Sequence, residues 1–82
     1  MDYVINCKTE EQAKALMAIL AKQGISWNNG ERPGHNSRWR FYKDCTCYEV
    51  DDDGITYGSR KTFEKYGCDI IPFEAMYGME VL

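Results

Sequence analysis

The chain has 82 residues, with ten Lys and Arg against thirteen Asp and Glu, and this mild net charge of −3 argues against general nucleic-acid binding and against a DNA mimic. The length predicts a single domain, residues 1–82, with a small core. No apolar run approaches the twenty or so residues of a membrane span and the N-terminus lacks signal-peptide features, so we expect a cytoplasmic protein.

The first predicted elements are a strand over residues 3–7 and an amphipathic helix within residues 8–27. Thr9 is a suitable N-cap, and Gln12 three residues later completes a capping box. Gly24 supplies the left-handed residue that ends a helix. Apolar side chains recur between these signals at helical spacing: Ala13, Leu16, Met17, Ile19 and Leu20.

The remaining elements are predicted to be short. Residues 25–27 favour a second strand, and residues 28–38 a loop that is long for so small a domain. Strands are expected at residues 39–43, 47–50 and 55–57, with an Asp-Gly turn before the last of them. A short helix over 59–66, a strand over 68–71 and a helical turn over 73–77 follow. Apolar residues at 79–82 are expected to pack on the core or on a second subunit.

This order of elements predicts an α+β fold. Sequential strands joined by tight turns favour an antiparallel sheet of four to five strands. One main α-helix packed on one face then gives a small two-layer domain. The chain also holds six Tyr, three Phe and two Trp, more than a core of this size is expected to hide. We therefore expect some aromatic rings at a ligand site or a subunit contact.

The sequence favours no metal, no cofactor and no catalytic residue. The four cysteines are compatible with two disulfides or a zinc site, but their spacing lacks paired ligands, so we predict packed strand residues. Asp51–Asp53 is predicted to be a hairpin tip rather than a cation site. His35 is the only histidine and has no nucleophile at a recognisable spacing, so we predict that the protein is not an enzyme.

One stretch, residues 27–43, combines arginines, aromatic rings and amides. Arginine binds phosphate bidentately, aromatic faces stack on a base, and Asn side chains can read its edge. The alternative is a solvated loop whose arginines pair with Glu31 and Asp44 and whose aromatic rings belong to the core. The ligand-site hypothesis assigns these residues: Trp27, Asn28, Arg32, His35, Asn36, Arg38, Trp39, Arg40 and Tyr42.

Five short runs carry a resemblance to a known group of proteins. They are TEEQA at residues 9–13, GISWNNG at 24–30, CYEV at 47–50, ITYG at 55–58 and IIPFE at 70–74. Together the runs resemble small accessory proteins encoded by phages and prophages of Gram-positive bacteria, although Ile25 stands where that group often has an aromatic residue. The resemblance implies a protein of the host cytoplasm without enzymatic activity, and it transfers no catalytic residue.

Small phage accessory proteins of this kind are often counter-defence factors. The favoured hypothesis is a sponge that binds and sequesters a nucleotide-derived immune signal, of the CBASS or Thoeris type, without cleaving it. The alternatives are a protein inhibitor of a host defence nuclease, of the anti-CRISPR type, and a structural phage component. The apolar C-terminus indicates a homo-oligomer, in which a site between subunits could close around a ligand.

In the sponge hypothesis the candidate residues have three roles. Arginines neutralise phosphates, one of three aromatic rings stacks on a base, and polar side chains complete the contacts. The phosphate ligands are Arg32, Arg38 and Arg40; the rings are Trp27, Trp39 or Tyr42; the polar contacts are Asn28, Asn36 and His35.

Overall fold

The structure is a computed structural model that describes residues 3–34 and 36–77. His35 and the apolar tail at residues 79–82 lie outside the described residues, and so does any contact predicted for them. The strands are β1 (Tyr3–Asn6), β2 (Thr46–Asp51), β3 (Gly54–Ser59) and β4 (Ile70–Pro72), and the α-helices are α1 (Glu10–Lys22), α2 (Arg60–Lys65) and α3 (Phe73–Tyr77). The predicted α+β class is confirmed.

Helix α1 begins and ends where local signals in the sequence predict. The Thr9 hydroxyl accepts a hydrogen bond from the Gln12 N–H at 3.1 Å, so the first turn is capped. At the other end Gly24 has a φ of 77°, and the Ile25 N–H donates to the Leu20 carbonyl at 3.0 Å. This is the hydrogen-bond pattern of a glycine C-cap, which satisfies a carbonyl that the helix itself leaves unpaired.

The four strands form one mixed sheet in the order β3-β2-β1-β4. The two pairs β1–β2 and β2–β3 are antiparallel, as predicted, with Tyr3 opposite Val50 in the first of them. The third pair, β1–β4, is parallel, with Val4 opposite Ile70, so the prediction of an antiparallel sheet is wrong there. The reason is that α2 connects β3 to β4, and a helical connection allows the two strands that it joins to run in the same direction.

The main core lies on the face of the sheet that α1 covers. It joins side chains of the sheet, α1 and α3, all of them buried: Ile5, Cys7, Ala13, Leu16, Met17, Leu20, Trp27, Tyr48, Val50, Ile55 and Phe73. A smaller cluster of Val4, Cys47 and Phe63 lies on the opposite face, where α2 contributes Phe63. The prediction of one main helix on one face describes the larger cluster, and α2 adds a partial second cover.

The strand predicted at residues 39–43 is wrong. Two short 3-10 turns, Trp39–Phe41 and Lys43–Cys45, occupy this segment instead. Arg38 and Lys43 have φ values of 63° and 52°. Left-handed backbone at two positions so close together cannot form a continuous extended strand, so the chain turns twice before β2 begins.

The strand predicted at residues 25–27 is present only as a single parallel bridge, between Trp27 and Ile55. This segment lies against the free edge of β3. It continues the sheet for one residue, and the chain then turns away at Asn28–Gly30.

Three further findings concern membrane spans, metal sites and disulfides. No helix within the described residues has the length and apolarity to cross a membrane. Nor do residues 3–34 and 36–77 bring together three or more His, Cys, Asp or Glu side chains able to hold a metal ion. The four cysteines are free thiols, of which Cys7 and Cys47 are buried and Cys45 is exposed.

Candidate functional site

Three exposed aromatic rings lie side by side beyond the end of the core. Phe41, Tyr42 and Tyr57 are 55%, 43% and 36% exposed. The Phe41 ring stacks on Tyr57 with centroids 6.0 Å apart, and the Tyr42 ring lies 6.2 Å from Tyr57. We call these three residues the aromatic surface. Contiguous exposed apolar groups of this kind are typical of interaction sites.

Strand geometry places Tyr57 at the centre of the aromatic surface. Successive side chains of a strand alternate between faces, so Tyr57 shares the α1 side of the sheet with Ile55. Ile55 is fully buried, whereas Tyr57 is exposed. Phe41 and Tyr42 reach the same place from the 3-10 turns that replace the predicted strand. The aromatic surface thus depends on two segments far apart in the sequence.

Arg38 lies beneath the aromatic surface and contacts it. Its guanidinium carbon is 4.0 Å from the centroid of the Trp27 ring and 5.8 Å from that of Tyr57. Trp27 is only 4% exposed, and Arg38 covers its face. A cation–π contact that is partly shielded from water contributes more than an exposed one, up to about 2 kcal/mol. Arg38 therefore links the core tryptophan to the exposed rings.

The two terminal nitrogens of the Arg38 guanidinium differ in their polar partners. Its Nη2 atom lies 3.6 Å from Glu31 Oε2, so the alternative predicted from the sequence, an arginine paired with Glu31, is confirmed for this residue. The Nη1 atom is buried and has no hydrogen-bond partner in the described part of the chain. A donor of this kind is costly to leave without a partner, and a ligand or partner oxygen would relieve that cost.

Arg38 also lines a cleft of about 310 Å³. We call it the arginine cleft. Its lining consists of Glu10, Asn36, Ser37, Arg38, Trp39 and Arg40. The structure thereby brings together four of the nine residues that the sequence assigned to a ligand site: Asn36, Arg38, Trp39 and Arg40.

The segment between Ser37 and Trp39 is held by hydrogen bonds to strand β2 and to Cys7. The Tyr48 hydroxyl donates to the Ser37 carbonyl at 2.7 Å, and burial raises the pKa of this hydroxyl. The Thr46 hydroxyl donates to the Trp39 carbonyl at 3.0 Å, and the Trp39 indole N–H donates to the Cys7 carbonyl at 3.0 Å. These three bonds hold the chain beside the aromatic surface and the arginine cleft. A site held in this way loses little conformational entropy on binding.

The other predicted site residues are dispersed. Trp27 lies beneath Arg38, so its face is not open to a base. Asn28 is exposed and lines a second cleft, beside Tyr57. Arg32 is exposed but lies in neither of the two clefts that contain Arg38. Tyr42 belongs to the aromatic surface.

The prediction missed Phe41 and Tyr57. The alternation of Ile55 and Tyr57 does place Tyr57 on the α1 side, so its face could be derived from the sequence. Its exposure could not, because exposure depends on how distant segments pack around the ring. Phe41 was missed although its neighbours Arg40 and Tyr42 were assigned, because no sequence signal separates an exposed ring from a core ring in this segment.

The segment that surrounds these rings is basic within an acidic protein. Residues 31–44 hold four basic side chains and two acidic ones, whereas the whole chain has a net charge of −3. Arg40 also lies 5.4 Å from the centroid of the Phe41 ring. The site therefore offers apolar rings and guanidinium donors together, and these groups suit recognition of a partially acidic surface.

Comparisons with protein-family models, with curated proteins and with solved structures found no match to this chain. The resemblance to small phage-encoded proteins accordingly stays a prediction, and the functional argument depends on the site.

Proposed function

We propose that the chain is a non-enzymatic recognition protein that binds a partner protein through the aromatic surface. The observation that supports this proposal is the cluster of Phe41, Tyr42 and Tyr57, which are exposed together and of which Tyr57 contacts Arg38. Tyrosine, tryptophan and arginine are the residues that contribute most binding energy at protein interfaces. Rings already held in place lose little conformational entropy on binding.

The geometry favours a protein partner over a flat small molecule. The three rings pack on one another, so no slot is open between them for a base. The face of Trp27 is covered by the Arg38 guanidinium. An open surface of adjacent rings with arginines at its border has the arrangement of an interface centre and its polar rim.

The resemblance to phage accessory proteins extends this proposal to a class of partner. We propose that the partner is a host defence nuclease, which the chain inhibits by covering its surface. In this role the chain contributes contact area and shape but no chemistry.

The test compares two exposed tyrosines. Tyr42 lies on the aromatic surface, and Tyr66, which is 75% exposed at the end of α2, lies elsewhere. The chain is expressed in a bacterium that carries a nuclease defence system, and phage plaques are counted. We expect the native chain and Tyr66→Ala to raise the plaque count, and Tyr42→Ala to lose most of that effect, because truncating an interface tyrosine costs about 1 kcal/mol or more of binding. Equal counts for both variants would contradict the proposal.

A second candidate function is the nucleotide sponge, which the arginine cleft favours. Asn36, Arg38 and Arg40 line this cleft, and its volume of about 310 Å³ is at the small end of ligand pockets. A cyclic dinucleotide or an ADP-ribose derivative that binds the native state should raise the melting temperature by several degrees and be recovered intact on heating. Arg40→Ala should remove the shift, and Lys61→Ala, an exposed cation on α2, should keep it. A panel that produces no shift would rule this candidate out.

A further inference from the structure

The outer edge of β3 is only half covered. The Ile55 N–H donates to the Ser26 carbonyl at 2.9 Å, and the Asn28 N–H donates to the Ile55 carbonyl at 3.0 Å. The chain then turns away, with the Gly30 N–H donating to the Trp27 carbonyl at 2.8 Å. Residues 26–28, which we call the covering segment, therefore pair with β3 only at Ile55. The part of the β3 edge that follows Ile55 is not covered by this segment.

The uncovered half presents backbone groups at Tyr57. In a strand, residues two apart direct their N–H and C=O to the same side. Since Ile55 directs both groups outward, Tyr57 does so as well. No backbone partner for these two groups is found among residues 3–34 and 36–77. An edge with an outward donor and acceptor is a template for a further strand.

A cleft marks the place where such a strand would lie. It has a volume of about 310 Å³ and opens where the covering segment stops. Its lining is Trp27, Asn28, Asn29, Arg38, Ile55, Thr56 and Tyr57. The cleft gives an incoming backbone room beside the edge, and the ring of Tyr57 connects it to the aromatic surface.

The charge around this edge indicates the chemistry of the occupant. Arg38 lines the cleft itself, where Glu31 pairs with one of its nitrogens, and Arg40 lies 5.4 Å from the centroid of the adjacent Phe41 ring. A segment rich in Asp and Glu would complement these cations, whereas a basic segment would meet like charge. A second copy of this chain is disfavoured, because the same basic surface would face itself across a two-fold axis.

We propose that the edge of β3 at Tyr57 accepts an extended acidic segment of a partner protein as an additional strand. The proposal rests on the proposed function and specifies how the partner binds: its backbone pairs with the N–H and C=O of Tyr57, and its side chains contact the aromatic surface. Main-chain hydrogen bonds then supply affinity, and the basic surroundings supply selectivity.

The test selects peptides and then removes one hydrogen-bond donor. A yeast-displayed library of random peptides about twelve residues long, enough for one strand and its flanks, is enriched on the native chain. The selected peptides are synthesised and titrated against the native chain, Tyr57→Phe and Tyr57→Pro. Tyr57→Phe keeps the ring and the N–H, whereas Tyr57→Pro lacks both, so a third variant is needed that loses the N–H alone. Proline at an outward edge position leaves the β2–β3 hydrogen bonds intact.

A semisynthetic variant keeps the experiment decisive if Tyr57→Pro does not fold. Cys47 is a native junction for chemical ligation, so residues 47–82 can be made synthetically with an N-methyl group on the Tyr57 amide. This variant retains every side chain and loses only the outward donor.

We expect the selected peptides to be enriched in acidic residues. Their affinity should fall about tenfold in Tyr57→Pro and in the N-methyl variant, and stay within about threefold in Tyr57→Phe. Hydrogen exchange at the Tyr57 amide should slow when a peptide binds. Equal affinity for the N-methyl variant would overturn the inference.

Three further outcomes distinguish this inference from the proposed function and from a dimer. If the selected peptides depend on Phe41 and Tyr42 but not on the Tyr57 amide, strand addition is wrong and recognition by the aromatic surface stands. If no peptide depends on either feature, both proposals fail. If light scattering finds a dimer that the N-methyl variant dissociates, the edge is occupied by a second copy, and the proposal of a foreign acidic segment is overturned.

Discussion

The core beneath α1 and the aromatic surface both consist of apolar and aromatic side chains, but those of the core are buried and those of the aromatic surface are exposed. Leu16 and Leu20 are fully buried, whereas Phe41 and Tyr42 are about half exposed. The core side chains are placed by one regular helix on one sheet. Phe41 and Tyr42 are placed by irregular turns that are held by hydrogen bonds from Thr46 and Tyr48 of β2. Apolar composition alone therefore does not show whether a side chain is buried in the core or exposed at a candidate binding surface. The backbone segment that carries the side chain decides this.

The largest expected effect is on the core. Leu16→Ala removes a fully buried side chain from α1 and should lower the free energy of unfolding by about 3 kcal/mol. Tyr42→Ala removes an exposed ring and should cost no more than about 0.5 kcal/mol, while it weakens partner binding. Urea unfolding of the two variants measures both costs. Similar losses for both would mean that the aromatic surface is part of the core.

The next effect is on the segment that covers the edge of β3. Gly54 has a φ of 117°, and a Cβ atom there would lie 2.5 Å from the Ser26 carbonyl oxygen. Gly54→Ala should therefore cost about 2 to 3 kcal/mol. The matched control is Gly30→Ala, at a φ of 90° with nothing within 4 Å of the added Cβ, which should cost only the backbone strain of about 1 kcal/mol. Equal costs in thermal unfolding would show that Ser26 moves aside freely.

A smaller effect is expected at the contact that joins the two regions. Arg38→Ala removes the cation–π contact with Trp27 and should cost about 1 kcal/mol. The ion pair with Glu31 contributes little of this, since the Glu31 side chain is 67% exposed, so Glu31→Gln should cost less than about 0.5 kcal/mol. Unfolding curves give these costs, and tryptophan emission should shift to longer wavelength in Arg38→Ala only. If Glu31→Gln cost more than Arg38→Ala, the ion pair and not the cation–π contact would be the main stabilising interaction of Arg38.

The last prediction concerns the accessibility of cysteine thiols and involves no change in stability. Cys45 is exposed, whereas Cys7 is buried and burial raises its pKa to about 12. The thiolate is the reactive form, so at pH 8 Cys7 stays protonated as well as covered. Brief treatment of the native protein with iodoacetamide should modify Cys45 and spare Cys7, as mass spectrometry of peptides would measure. Modification of both at one rate would indicate that the core opens readily.

The fold was predictable where local signals decide it. Thr9 and Gly24 bound α1, and each acts on residues within a few positions of itself, so the helix could be derived from the sequence. The parallel pair β1–β4 could not. Val4 and Ile70 form no local pattern, and the direction of β4 depends on α2 crossing the sheet.

The candidate site divides in the same way. Asn36, Arg38, Trp39 and Arg40 are neighbours in the sequence, and the structure keeps them together in the arginine cleft. Tyr57 joins the site from a strand that follows a hairpin. The left-handed backbone of Arg38 had no signal, because residues other than glycine, asparagine and aspartate seldom adopt it.

The position of β1 inside the sheet has a consequence for folding during translation. Tyr3 pairs with Val50 on one side of β1, and Val4 pairs with Ile70 on the other. Strand β1 is therefore synthesised before both of its partners. Until Ile70 has left the ribosome, the sheet is incomplete and apolar side chains stay uncovered, where chaperones can shield them.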